Sequence, residues 1–357
     1  MNFSRIIYGW CEKNLRDLPM RHTRDPYRTW IAEVILQQTR MEQGLPYLTA
    51  FLESFPDVQA LASASEDEVL RHWQGLGYYS RARNLHASAR YVAEELGGVM
   101  PGDYRGLLAL KGVGKYTAAA IASWCYGEPC AAVDGNVARF IARLYGIEDP
   151  INTGSGEKQV YALAEALLDR TDPGRHNQSM IDFGALQCIP VSPACSGECP
   201  FSAAGACEAF RLGRVDRIPV KVGNKKPVER WFYYYLIRHG GQMILTRRGT
   251  GDIWAGLYEP PMVESLSPLS EEEIVYQMLP KVLQEPVPPY GSLDIGELSA
   301  PVRHQLSHQT IHARFLQVDL ELLPLPLPGH WQWVPLSELD RFAMPRLIHR
   351  FLESVKN

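Results

Sequence analysis

Four cysteines crowd into one segment of the 357-residue chain: Cys188, Cys195, Cys199 and Cys207, with six, three and seven residues between them. Thiolates so close in sequence can saturate a tetrahedral zinc ion or ligate the four irons of a [4Fe-4S] cluster. Spacing alone leaves both open, because structural zinc favours two short Cys-x-x-Cys pairs, which are missing, and cluster loops vary more. Cys11, Cys125 and Cys130 stand alone and read as small core residues. A second chemical feature is the turn Gly112-Val113-Gly114 within LLALKGVGKYTAAAIASW. Glycines there let the backbone approach a phosphate, and the helix start that follows points free N–H groups at it. Lys111 and Lys115 flank the turn and suit a nucleic-acid contact, although Gly-x-Gly between helices is also an ordinary connection.

The elements that must position these groups change class along the chain. Residues 1 to about 210 alternate helical apolar periodicity with glycine breaks and lack period-2 runs, which predicts a mainly helical region. Asp25-Pro26 signals an N-cap and first turn, after which Trp30, Ile31, Val34, Ile35 and Gln38 follow one helix face. Ser65 with Glu68 makes a capping box, and Gly97-Gly98 stops a later helix. Residues 214–229 carry Pro, Gly and charge without periodicity and read as a linker between a 1–213 region and a 230–357 domain. In that second domain WFYYYLIRHGGQMILTRR predicts two strands around a Gly-Gly turn. ARFLQVDLEL predicts a third strand and SELDRFAMPRLIHRFLESV a closing helix, giving an α+β fold.

Composition bounds the partners. The net charge of −4 argues against a uniformly basic surface, but residues 227 onward hold 11 Lys and Arg against 15 Asp and Glu, so the surplus acid lies in the C-terminal part. A locally basic groove in the first part remains compatible with that balance. The apolar run needed to span a bilayer is missing, and the first residues turn polar too early for a signal peptide. The expectation is therefore an intracellular protein, cytoplasmic and nucleoid-associated if bacterial, without disulfides, off the membrane and monomeric.

The segments EVILQQT, GLGYYSRARNLH, GVGKYTAAAI, VDGNVARF and NQSMIDFGA, followed by the four cysteines, occur in an order that resembles the MutY-type adenine DNA glycosylases of the helix-hairpin-helix superfamily. The match spans most of residues 1 to 210, and RHQLSHQTI near 303 extends it into the second domain. The resemblance implies an all-helical catalytic region with the hairpin at about 105–123 and a [4Fe-4S] cluster on Cys188, Cys195, Cys199 and Cys207. It also implies a C-terminal Nudix-like domain that reads 8-oxoguanine opposite adenine in duplex DNA. The chain departs from the family pattern in its cysteine spacing, usually six, two and five, in Lys111 where Pro is usual, in Met20, and in Leu306 where Phe is common. The paired Arg-Glu and glutamates of a pyrophosphate-cleaving Nudix box are absent, so the second domain is expected to bind rather than catalyse.

Cutting an adenine from deoxyribose requires protonating the base and stabilising a sugar with oxocarbenium character, a task for one protonated and one ionised carboxylate. By resemblance Glu33 is the acid that protonates adenine N7, at the border of an apolar stripe whose burial would raise its pKa. Asp134, read from spacing as the N-cap of NVARFIARLYG, is by resemblance the carboxylate facing the sugar, held ionised by helix N–H groups. Asn136 would orient Asp134 or the attacking water. Tyr116 stands where bifunctional relatives similar to endonuclease III carry a nucleophilic Lys, which predicts a glycosylase that leaves the strand intact. Resemblance assigns Gln38, Thr39, Leu76 and Tyr78 to the orphaned 8-oxoguanine and Arg16, Arg21 and Gln178 to the adenine pocket. It assigns Gly112 and Gly114 to a phosphate, and Ser307 and His308 to lesion reading. The competing readings are a bifunctional glycosylase and lyase, a lesion-binding protein without catalysis, and a zinc-stapled DNA-binding module.

Overall fold

The computed structural model describes residues 3–356 apart from 15, 17, 40, 224–225, 284–292 and 322–326. It divides into two compact units, Met1–Ser63 with Asn84–Gly223 and Ala64–Arg83 with Asn224–Asn357. The helices in chain order are Phe3–Asn14 (α1), Pro26–Leu36 (α2), Met41–Ser54 (α3), Val58–Ser63 (α4), Glu66–His72 (α5), Ser80–Glu95 (α6), Tyr104–Leu108 (α7) and Lys115–Tyr126 (α8). Gly135–Tyr145 (α9), Gly154–Leu167 (α10), Pro173–Asp182 (α11), Pro200–Ala203 (α12) and Glu208–Arg211 (α13) follow. Among the described residues no helix is long and apolar enough to cross a membrane.

The helical unit is organised around caps and small residues. Asp25 accepts hydrogen bonds from the N–H groups of Tyr27 and Arg28, so α2 starts where the sequence places it. It ends earlier than the apolar periodicity suggests: Leu36 is its last residue, and Gln38 turns out in a left-handed conformation with φ 56°. The alanine run Ala118, Ala119, Ala120 and Ala122 makes α8 slim enough to lie buried among its neighbours. Between α7 and α8, Gly112 has φ +82°, and an added Cβ would meet Asn84 Cβ at 2.6 Å, so both conformation and space demand glycine there. A second core joins α1, α9, α10 and α11 through Phe140, Phe183 and Phe201.

The second unit is an eight-stranded mixed sheet. Its strands are Val228–His239 (β1), Gln242–Arg247 (β2), Tyr258–Glu259 (β3), Met262–Ser265 (β4), Leu293–Leu298 (β5), Val302–Gln305 (β6), Gln309–Leu320 (β7) and Trp331–Pro335 (β8). The main order is β3-β2-β1-β7-β5, with β4 on β1, β6 on β7 and β8 on β2. β1 and β7 are parallel and pair from Val228–Gln309 to Arg238–Asp319. Leu279–Leu283 (α14) and Arg346–Lys356 (α15) complete the elements, with Leu347, Ile348 and Leu352 of α15 packed in one core with Phe232, Tyr234 and Phe315.

Three expectations about organisation change. The segment 64–83 groups with the sheet and not with the rest of 1–213: Arg247 Nη2 reaches Asp67 Oδ1 at 2.8 Å, and Tyr258 Oη donates to Asp67 Oδ2 at 3.0 Å. The stretch 214–223 is not a free linker, because Arg143 Nε binds Ile218 O, Val220 O accepts from Ile151 N, and Asn152 bonds Val222. The closing segment is a 3₁₀ turn over Leu336–Arg341 and then α15, because Pro345 has no N–H to continue a helix and stands just before its start.

Candidate active site

Capping chemistry positions the first carboxylate. Asp134 precedes α9, and its Oδ1 accepts from the N–H groups of Asn136 at 2.9 Å and Val137 at 2.8 Å, while Asn136 Nδ2 donates to Oδ2 at 2.7 Å. Burial pushes its pKa up, and these hydrogen bonds and the charge of Arg139 push back. The helix N-terminus thus offsets the burial without reversing it, a weaker hold on the ionised form than the sequence suggests.

Glu33 rises from α2 and opens onto the same cleft. Its pKa is raised to about 7, chiefly by burial and also by the nearby charge of Asp134, against the opposing pull of a hydrogen bond with Tyr116 and the charge of Arg21. Two carboxyl groups in one cleft, one beside a phenol and one on a helix cap, are thereby given different proton affinities. Enclosure, with the charges of both carboxylates, pushes Tyr116 well above the ordinary phenol value, so it stays a neutral donor.

The cleft holds about 500 Å³ and is lined by Arg16, Arg21, Glu33, Gln38, Thr39, Tyr116, Asp134 and Asn136, with Leu18, Leu36, Gln37, Met41, Trp124 and Ile181 filling in. Eight residues singled out in the sequence therefore meet around one cavity. Asp182, fully buried, was missed: Arg16 Nη2 lies 2.5 Å from its Oδ1 and Arg21 Nη1 2.5 Å from its Oδ2, so one carboxylate holds both guanidiniums in place. Its only signal was membership of the NQSMIDFGA segment. Gln37 was also missed, and its Nε2 donates to Thr117 Oγ1 at 3.2 Å. Gln178 lies on α11 and does not line the cleft. Lys115 points away, paired with Glu157 at 2.8 Å and over the ring of Tyr161.

Leu76, Tyr78, Ser307 and His308 belong to the other unit. There Tyr78 Oη and Ser307 Oγ share a hydrogen bond of 2.5 Å, and Tyr78 is half-exposed with φ 49°. His308 is exposed, and its carbonyl accepts from Val228 N. Left-handed backbone at a non-glycine residue is uncommon and clusters at functional positions, and here it marks both Gln38 and Tyr78.

Residues 31–169 match the HhH-GPD superfamily of base excision DNA repair proteins, and residues 232–354 match the NUDIX domain. An adenine DNA glycosylase of Mus musculus is 32% identical over 399 residues, covering 96% of this chain and 75% of its own. The chain belongs to the adenine DNA glycosylase family. A second such glycosylase, from Buchnera aphidicola subsp. Acyrthosiphon pisum, is 28% identical over 357 residues, with 99% of this chain and 97% of the other covered. Among solved structures, a thermostable thymine-DNA glycosylase aligns with TM-score 0.53 at 30% identity, over 59% of this chain and 95% of its own. An endonuclease III complex, TM-score 0.51 at 22% identity, shares the helical fold. This glycosylase is thus a base-excision repair enzyme that removes adenine, and the cleft holding Glu33 and Asp134 is its candidate active site.

The glycosylase also gathers Cys188, Cys195, Cys199 and Cys207 around one small pocket, with Phe140, Phe183 and Phe201 behind them and no disulfide. Burial raises the thiols of Cys188, Cys195 and Cys207, the last to about 11. Donors already face the sulfurs: Arg143 Nη1 approaches Cys188 Sγ at 3.6 Å, and the Phe210 N–H is directed at Cys207. Among the described residues no three His, Cys, Asp or Glu converge tightly enough for one metal ion. A π-helical turn, Phe183–Gln187, leads from α11 into Cys188. Arg139 Nη2 donates to Asn136 Oδ1 at 3.0 Å and Gly184 O at 2.5 Å, and its Nε to Cys188 O at 2.7 Å.

Proposed function

We propose that this enzyme excises adenine paired with 8-oxoguanine, or with guanine, in duplex DNA by hydrolysing the N-glycosidic bond and leaving the strand intact. The observation that carries the proposal is the shared cleft of Glu33, Tyr116, Asp134 and Asn136, large enough for an extruded purine nucleoside. With its pKa near 7, Glu33 is protonated often enough at neutral pH to give its proton to N7 as the bond to the base breaks. Asp134, anchored by its cap, faces the cationic sugar as a stabiliser or transient nucleophile, and Asn136 fixes its orientation. Arg16 and Arg21, clamped by Asp182, hold the base. Leu76, Tyr78, Ser307 and His308 form the lesion-reading set, supported by the Tyr78 to Ser307 hydrogen bond. Gly112 and Gly114 give the hairpin its phosphate contact. The engagement of Lys115 by Glu157 favours hydrolysis over a Schiff base.

The four cysteines are proposed to hold a [4Fe-4S] cluster. Two features support the fit: the four cysteines line one small pocket, and N–H donors of Arg143 and Phe210 face the sulfurs of Cys188 and Cys207. Such a group would staple the loop, which Arg139 and Arg143 already hold against α9. The test is single-turnover excision on duplexes with adenine opposite 8-oxoguanine, guanine or thymine. Fastest release opposite 8-oxoguanine, with strand breaks only after mild alkali, is the expected result. Equal rates on all three duplexes would sink the specificity, and breaks without alkali the strand-sparing chemistry.

A further inference from the structure

Several arginines of the sheet domain are already neutralised: Arg230 by Asp252 and Glu264, Arg238 by Asp319, Arg248 by Glu259 and Asp252, and Arg341 by Glu338. Arg346 and Arg350 differ. They are exposed, four residues apart on one side of α15, with no carboxylate partner among the described residues. Glu353, the acid on that helix, pairs instead with His349 at 3.4 Å. Beneath α15, Val302 and Leu306 of the β6 hairpin share a core with Leu347, Ile348 and Phe351, and strand alternation puts His304 on that same covered face. The His304 ring lies 5.9 Å from that of Trp254 in the same core. Burial, then Arg350 and Arg346, hold the imidazole below its usual pKa. His304 is therefore neutral at neutral pH, and the outward charge is that of the two guanidiniums. The hairpin carrying His304 continues through Leu306 into Ser307.

We propose that Arg346 and Arg350 form a phosphate-binding surface for the backbone of duplex DNA, beside the hairpin that bears Ser307. One helical turn separates them by about 6 Å along the axis, which lets both guanidiniums reach neighbouring phosphates of one strand. In a chain of net charge −4 with its acid surplus in this half, two unpaired cations next to the lesion-reading hairpin fit a polyanion better than a second acidic protein surface. The surface contributes affinity and register, not base identity.

The inference rests on the reading of the chain as an enzyme of duplex DNA, and its test separates the two. Equilibrium binding of the full-length protein to a duplex with a non-cleavable adenine analogue is measured against salt for the wild type, R346A/R350A and R346K/R350K. The alanine variant should lower the slope of log Kd on log salt by about two and weaken binding roughly tenfold or more, while the lysine variant keeps the slope. Single-turnover excision at saturating enzyme should be unchanged in both. A folded alanine variant with wild-type slope and affinity overturns the surface and leaves the patch to an acidic protein partner. A lysine variant that loses as much as the alanine variant also overturns it, since charge would not be the cause. A wild-type protein that releases no adenine from any duplex would instead sink the reaction proposed above.

Discussion

At the scale of the residue, pH acts first on Glu33. As the proposed acid it must hold its proton for the base to leave, so the single-turnover rate should be level in mild acid and fall about tenfold per pH unit above about 7. Stability runs the same way: the unfolded carboxyl ionises from about 4.5 upward while the folded one keeps its proton, so stability falls as pH rises from about 4.5 to about 7 and is level above that. Tyr116 supplies a sharper check. Its hydrogen bond pulls the Glu33 pKa down, so Tyr116→Phe should move the falling limb of the rate profile to higher pH. A limb that stays put or moves to lower pH would show that the phenol does not set the acid's affinity for its proton. That Glu33, Asp134 and Tyr116 share one cleft was legible because their motifs are local and ordered. Asp182 was not, because a lone Asp near a helix end has no signature until the fold delivers two arginines from far upstream to its oxygens.

At the scale of the element, the turn into α9 is fixed from behind. Gly184, within the π-helical turn, presses so closely on Asn136 that an added Cβ would lie 2.6 Å from its carbonyl oxygen and 2.7 Å from its carbonyl carbon. Both are backbone atoms and cannot swing aside. Gly184→Ala should therefore destabilise by about 1–3 kcal/mol and, by shifting the turn that holds Asp134, slow excision by about 100-fold. Thermal unfolding with single-turnover kinetics reads both, and an unchanged rate would show that the turn tolerates the push. Helix starts were readable from their caps, Asp25, Ser65 and Asp134 alike. The end of α2 was not, since apolar spacing carries on to Gln38 while its backbone has already turned left-handed.

At the scale of the whole molecule, the sequence divides at the change from helical to strand periodicity. Contacts divide it differently, because 64–83 packs with the sheet although nothing in its local pattern says so. The cysteine pocket acts on this scale too. A [4Fe-4S] group there would give brown protein, and removing its iron should cost several kcal/mol of stability, lowering Tm by about ten degrees or more. Colourless protein carrying one zinc per chain with the same Tm would contradict that assignment.

The proposed reaction depends most on an acid and a capped carboxylate sharing one cleft. The direct measurement is adenine release in a single turnover from a duplex with adenine opposite 8-oxoguanine, by the wild type and by Glu33→Gln. The wild type should release free adenine and leave an alkali-labile site in an unbroken strand, with Glu33→Gln slower by about 10²–10⁴-fold at equal DNA affinity. Release at the wild-type rate by Glu33→Gln would show that Glu33 is not the acid.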